Sequence, residues 1–142
     1  MLCVDLQEDN LNKTVAMIEE AGGVASAQLC NVTDEEQVKA TFDTCISRYG
    51  KVDSVINMAG ILRFDHFHEL KLADFEKIMS VNVSGTFLVC REAISHLLKT
   101  KGNIVNAAST SSHAGLPWGS VYSASKGALL AMTRSIAVEY AK

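Results

Sequence analysis

The alternation of two apolar patterns is the feature of this chain that most constrains its fold. Short apolar runs typical of buried strands take turns with longer segments in which apolar residues recur every three or four positions, as in amphipathic helices. This order predicts the α/β class, a doubly wound parallel sheet with helices on both faces in a Rossmann-like three-layer α/β/α architecture. The predicted strands are residues 2–6, 24–30, 52–57 and 102–107.

Helical patterns follow each of these strands. The first stops at Gly22, since glycine is the usual residue just past a helix end. The second begins at a capping box over residues 33–36 and ends at Gly50. A long helical pattern covers residues 72–98, and a last helix begins at about residue 119 and continues to the end of the chain.

Composition narrows the class of protein further. The 142 residues suffice for one domain, and 48% hydrophobic with 20% charged residues is typical of a folded chain. A net charge of −3 disfavours nucleic-acid binding, because phosphates attract basic surfaces. No apolar run is long enough to span a membrane, and residues 1–5 lack a signal-peptide pattern. We therefore expect a cytoplasmic protein that contacts neither nucleic acid nor membrane.

The cysteines point to the same compartment. Cys3, Cys30, Cys45 and Cys90 form no C-x-x-C pair, and no histidine stands at zinc-binding spacing beside them. We interpret them as reduced thiols and expect no metal site.

Several polar or small residues follow the predicted strands, where a doubly wound sheet binds its ligands. Asp5 could accept hydrogen bonds from the ribose hydroxyls of an adenosine, or could simply be an acidic start to the next helix. The segment from Asn57 to Gly60 could let a ligand approach the backbone closely, or could be an ordinary strand-to-loop turn.

Tyr122 and Lys126 lie four positions apart and therefore on one face of the last helix. A nearby ammonium favours the phenolate of a tyrosine, which can then exchange a proton with an alcohol or carbonyl, although this spacing also arises by chance. Ser109 could bind a substrate carbonyl or be part of a polar loop. Asn82 interrupts an apolar stripe, either as a structural polar bridge or as the holder of a proton-relaying water.

Together these residues resemble the short-chain dehydrogenase/reductase family. Ser109 precedes Tyr122 by 13 positions, the spacing usual in that family, and the resemblance covers essentially the whole chain. The matching segments are Asn57-x-Ala59-Gly60, Asn82 within residues 81–87, Ser109, and the run Tyr122-Ser123-Ala124-Ser125-Lys126.

The resemblance implies an NAD(H)-dependent oxidoreductase that interconverts an alcohol and a carbonyl. Tyr122 would be the general acid/base, and Lys126 would favour its phenolate and bind the nicotinamide ribose. Ser109 would orient the substrate oxygen, and Asn82 would hold a relay water through its helix backbone. These four residues are the implied catalytic set.

The resemblance also implies a cofactor surface. Asp5 would bind the adenosine ribose and so favour NAD over NADP. Asn31 stands where the family usually has aspartate. Its amide oxygen can still accept a hydrogen bond from the adenine amino group, so we expect adenine binding to be weaker but not lost. The implied cofactor-binding residues are Asp5, Asn31, Val32, Asn57, Ala59, Gly60, Tyr122 and Lys126.

One family feature is missing, because the sequence contains no glycine-rich G-x-x-x-G-x-G loop for the pyrophosphate. The chain resembles the middle of a bacterial member, so we expect a single partial domain over residues 1–142 that lacks the N-terminal loop and the C-terminal strands. The full-length protein would be a homo-oligomer. The alternative is a fragment without catalytic activity that acts at most as an oligomerisation or interaction module.

Overall fold

A computed structural model describes residues 1–141 and confirms the predicted alternation of strands and helices. The strands are shorter than the apolar runs that predict them, because pairing covers only part of each run. The strands are β1 (Leu2–Asp5), β2 (Ser26–Leu29), β3 (Ser54–Asn57) and β4 (Asn103–Asn106). The helices are α1 (Glu8–Glu20), α2 (Glu35–Tyr49), α3 (Leu72–Met79), α4 (Thr86–Thr100) and α5 (Ser120–Tyr140).

The strands pair in parallel, as the alternation predicts, but not as one continuous sheet. Within residues 1–141 they form two ladders of two strands, β1 with β2 and β3 with β4. Leu2 lies opposite Ser26 in the first ladder, and Ser54 lies opposite Asn103 in the second. A cleft lined by both β1 and β3 lies between the ladders.

The hydrophobic core lies between α2, α4 and the second ladder. Val38 and Phe42 of α2 meet Ala93 and Leu97 of α4, and all four side chains are buried. Burial of each large apolar side chain contributes roughly 1.5–3 kcal/mol. Residues of both β3 and β4 pack against this cluster, so α4 covers one face of the second ladder.

The opposite face of the second ladder is open. Ile56 is 62% exposed and Val105 is 51% exposed. Parallel sheets are usually covered on both faces. The helix layer predicted for both faces is therefore incomplete over β3 and β4 in residues 1–141.

The start of α2 differs by one residue from the predicted capping box. Asp34, not Thr33, is the N-cap, because its Oδ1 accepts from the backbone N–H groups of Glu36 (3.0 Å) and Gln37 (3.1 Å). The Thr33 hydroxyl instead donates to Asn31 Oδ1 at 2.8 Å. The predicted end at Gly50 is confirmed, with a φ of 77° that favours glycine.

The long pattern predicted as one helix over residues 72–98 is interrupted. A π-helical turn, Ser80–Gly85, joins α3 to α4, and the helical run continues to Thr100. The apolar periodicity is kept on both sides of the turn, so the pattern alone does not reveal it.

The four cysteines are free thiols, as expected, and three of them are buried. Burial raises the pKa of Cys30 and of Cys90. In residues 1–141 no helix is long and apolar enough to cross a membrane, and no group of three potential metal ligands comes together.

Candidate active site

Asn82 lies at the π-helical turn, and its side chain is completely buried. Its Oδ1 accepts from the backbone N–H of Ile61 at 2.8 Å, and its Nδ2 donates to the Ile61 carbonyl at 3.0 Å. Nδ2 also donates to Ser125 Oγ at 2.9 Å. Asn82 is therefore a polar bridge from the loop after β3 to α5, and a buried amide is satisfied in this way without loss of stability.

Ser125 lies in the run that resembles the family, but no role was predicted for it from the sequence. Its side chain is fully buried, and its hydroxyl accepts from Asn82 and donates to the Tyr122 carbonyl at 2.7 Å. The bond fixes the turn of α5 that carries both Tyr122 and Lys126. Its position offers a signal: Val121, Ser125 and Leu129 form a buried stripe at helical spacing, in which Ser125 is the polar member.

Lys126 is also buried, with 5% of its surface exposed. Its Nζ donates to the carbonyl of Ala107, just past β4, at 2.6 Å and lies 5.7 Å from the centre of the Tyr122 ring. Loss of hydration lowers the pKa of Lys126. The structure therefore brings a buried amine beside the tyrosine, at the carboxyl end of a parallel strand.

Gly60 lies against both of these groups. A Cβ at this position would lie 3.3 Å from Asn82 Oδ1 and 3.5 Å from Lys126 Nζ. The tighter of the two contacts is with Asn82, so a larger residue here would crowd the amide that bridges to Ile61 and Ser125.

Ser109 precedes a short helical turn, Thr110–Ser112, that packs against α5. Its Oγ accepts from the Ser111 backbone N–H at 3.2 Å and lies 3.0 Å from the Ser111 hydroxyl. Ser109 therefore caps this turn, and within residues 1–141 it does not hydrogen-bond to Tyr122.

The cleft between the two ladders gathers the other predicted residues. Its volume is about 800 Å³, and its lining runs along the whole of β1 and β3. Six residues implied for the cofactor share it: Asp5, Asn31, Val32, Asn57, Ala59 and Gly60. Tyr122 and Lys126 are not among its lining residues, although Lys126 Nζ lies close to Gly60, which is one of them.

Three of these side chains already have partners within the chain. Asp5 Oδ1 accepts from the Gln7 backbone N–H at 2.9 Å, at the start of α1. Asn31 Oδ1 accepts from both the N–H and the hydroxyl of Thr33, so the oxygen expected to meet adenine is engaged. Asn57 Nδ2 donates to Asn106 Oδ1 at 2.8 Å and ties β3 to β4.

Comparison with known proteins places this geometry in a family. The family model for short chain dehydrogenase matches residues 1–142. An uncharacterized oxidoreductase of Thermotoga maritima is 40% identical over 139 residues, which are 96% of this chain and 54% of the relative. Glucose 1-dehydrogenase 2 of Bacillus subtilis is 34% identical over 133 residues, 92% of this chain and 52% of the relative.

Solved structures agree. An NAD⁺-bound xylitol dehydrogenase matches with a TM-score of 0.95 and 32% identity, over 99% of this chain and 55% of that one. A gluconate 5-dehydrogenase from Burkholderia cenocepacia, in complex with NADP and tartrate, matches with a TM-score of 0.90 and 27% identity. The match covers 99% of this chain and 55% of that one. These matches confirm the Rossmann-like fold class. The chain spans about half the length of the curated relatives it matches, and it belongs to the short-chain dehydrogenase family.

Proposed function

We propose that this chain carries the proton-transfer residues and the adenosine-side surface of an NAD-dependent oxidoreductase that interconverts an alcohol and a carbonyl. One observation carries the proposal. Lys126 is buried beside Tyr122 and donates to the carbonyl of Ala107. Burial of an amine is costly, and amines held in this way are common at functional sites.

The proposed chemistry divides between the chain and its cofactor. The nicotinamide cofactor supplies or accepts the hydride when bound. Tyr122 gives its hydroxyl proton to the substrate oxygen during reduction and takes it back during oxidation. A protonated Lys126 stabilises the phenolate charge that develops, and Ser109 orients the same substrate oxygen.

The cofactor proposal rests on the cleft. Gly60 and Asp5 both line it, and Asp5 presents a carboxylate at the end of β1, where Leu6 and Gln7 offer no cation to a 2′-phosphate. These residues fit the ribose of NAD better than that of NADP. The free thiols support a reducing, cytoplasmic compartment.

The test is reduction of a panel of ketones with NADH by the protein that carries this chain. Tyr122→Phe is expected to lower kcat by about 10²–10⁴-fold, the usual contribution of a general acid/base. Tyr140→Phe is the matched control, because it makes the same change at the far end of the same helix. Activity retained by Tyr122→Phe would contradict the role of Tyr122.

A second experiment tests the cofactor. Asp5→Ala is expected to raise KM for NADH and to narrow the preference over NADPH, since the carboxylate no longer binds the ribose or repels the 2′-phosphate. An unchanged ratio of kcat/KM for the two cofactors would contradict the proposed NAD preference.

A non-catalytic interaction module is the second candidate function. Its support is the exposure of Phe87 (45%) on α4 and Val138 (81%) on α5. Light scattering of the 142-residue chain, together with calorimetry against NADH, separates the two candidates. Self-association without NADH binding favours the module, and micromolar NADH binding favours the enzyme.

A further inference from the structure

The side chain of Asn106, the last residue of β4, is the centre of a half-buried hydrogen-bond network. Its Oδ1 accepts from Asn57 Nδ2 at 2.8 Å and from the thiol of Cys90 at 3.5 Å. Its Nδ2 donates to Thr133 Oγ1 on α5 at 2.9 Å. One amide therefore joins β3, β4, α4 and α5.

The partners of this amide fix its orientation. The Thr133 hydroxyl uses its single proton on the Leu129 carbonyl at 2.7 Å, so towards Asn106 it can only accept. Asn57 presents an N–H on the other side, so it can only donate. A reversed amide would place donor against donor, and half-buried polar groups without partners cost stability. Asn106 therefore holds one orientation, with its N–H directed to α5.

The next residue along the chain links the same strand end to Lys126. Ala107 follows Asn106, and its carbonyl accepts from Lys126 Nζ at 2.6 Å. Lys126 and Thr133 are seven residues apart on α5, which is nearly two turns, so they lie on one face about 10.5 Å apart along the helix axis. The end of β4 is therefore attached to α5 at two levels.

Two separated attachments are needed to fix the direction of a helix. Asn82 holds Ser125, at the level of Lys126, and a helix held at this level alone can pivot. The flexible four-carbon stem of Lys126 cannot prevent that movement. The bond from Asn106 to Thr133 can, because it joins two short side chains two turns further along α5.

We infer that Asn106 is a positioning residue for the proton-transfer pair: by holding Thr133 it fixes the direction of α5 that keeps Lys126 against the Ala107 carbonyl and beside Tyr122. The inference rests on the proposed function, to which it adds the contact that keeps this pair in place. Without the bond, α5 pivots and the amine of Lys126 regains water. Because burial lowers the pKa of Lys126, renewed hydration raises that pKa again.

The experiment titrates Lys126 by NMR in the protein that carries this chain, labelled with ¹³C at the lysine Cε. The Lys126 resonance is the one lost in Lys126→Arg. Thr133→Val removes the acceptor of the Asn106 N–H and should move the titration midpoint of Lys126 up by at least about 0.5 pH unit. Thr133→Ser keeps the hydroxyl and should restore the midpoint of the parent protein. In the reduction of ketones with NADH, Thr133→Val should lower kcat by at least about tenfold, because the pair is misplaced.

Ser135→Ala is the matched control, because the Ser135 hydroxyl donates only within its own helix, to the Ala131 carbonyl at 3.1 Å. It should leave the Lys126 midpoint unchanged. The inference is overturned if Thr133→Val leaves the midpoint or kcat unchanged, or if Ser135→Ala moves the midpoint equally. Should Thr133→Val fail to fold, Thr133→Ala removes the same hydroxyl and decides. The titration needs no turnover, so a protein that reduces no ketone contradicts the proposed function while the midpoint still tests the contact.

Discussion

At the scale of single residues, two glycines predict opposite responses to alanine. A Cβ at Gly102 would overlap the Asp53 carbonyl and lie 2.7 Å from Leu97 Cδ2, whereas nothing lies within 4 Å of a Cβ at Gly127 in α5. We expect Gly102→Ala to lower the free energy of unfolding by about 1–3 kcal/mol. Gly127→Ala should raise it by about 0.5–1 kcal/mol, because alanine favours the helix. Urea denaturation measures both, and equal effects would contradict the close contact at Gly102.

Lys126 predicts a dependence of stability on pH. Because burial lowers its pKa, the folded chain binds fewer protons than the unfolded chain between the two lysine pKa values, so stability rises with pH in that window. The variant for comparison is Lys126→Met. The raised pKa of the buried thiols makes stability fall with pH, but this contribution is the same in the parent chain and in the variant, so it cancels in their difference. The unfolding free energy of the parent chain minus that of Lys126→Met should increase as the pH rises towards the unfolded lysine pKa of about 10.4. A difference in unfolding free energy that does not change with pH would contradict the lowered pKa of Lys126.

The limits of sequence reasoning are also clearest at this scale. Tyr122 and Lys126 could be placed on one face of a helix from their spacing alone, because helix geometry is local. The partners of Asn82 could not be predicted in this way, because Ile61 and Ser125 lie 21 and 43 positions away in the sequence. The engagement of Asn31 by Thr33 was missed for a different reason: a local turn competes for the same amide oxygen.

At the scale of elements, the N-cap of α2 is a direct test of the corrected helix start. Asp34 satisfies two of the first N–H groups of the helix, so Asp34→Ala should cost about 0.5–2 kcal/mol of unfolding free energy. Thr33→Ala is the control, because the Thr33 hydroxyl bonds to Asn31 and not to the helix. A larger loss from Thr33→Ala than from Asp34→Ala would restore the capping box predicted from the sequence.

The order of strands and helices was predictable because the periodicity of each element depends on residues that are neighbours in sequence. The helix ends at Gly22 and Gly50, both with positive φ, are local in the same way. The separation of the strands into two ladders was not predictable. Pairing joins residues far apart in sequence, and the apolar runs of β1 and β3 read alike whether or not another strand lies between them.

At the scale of the 142-residue chain as a whole, the open face of the second ladder predicts self-association of that chain. Exposed apolar side chains on a strand pair promote association between chains. The double change Ile56→Thr and Val105→Thr should reduce concentration-dependent light scattering and leave the unfolding free energy within about 0.5 kcal/mol. Val55→Thr, on the covered face of the same ladder, is the matched control and should destabilise the chain. Unchanged scattering by the double variant would locate association elsewhere.

The π-helical turn has a consequence for how this chain can change over generations. A π turn holds one residue more than the corresponding turn of an α-helix, and its wider loop takes up that residue. Deleting one residue from Ser80–Gly85 would restore a regular helix and move Asn82, which lies inside the turn, relative to Ile61 and Ser125. Lineages carrying this chain should therefore keep the residue count of this turn constant.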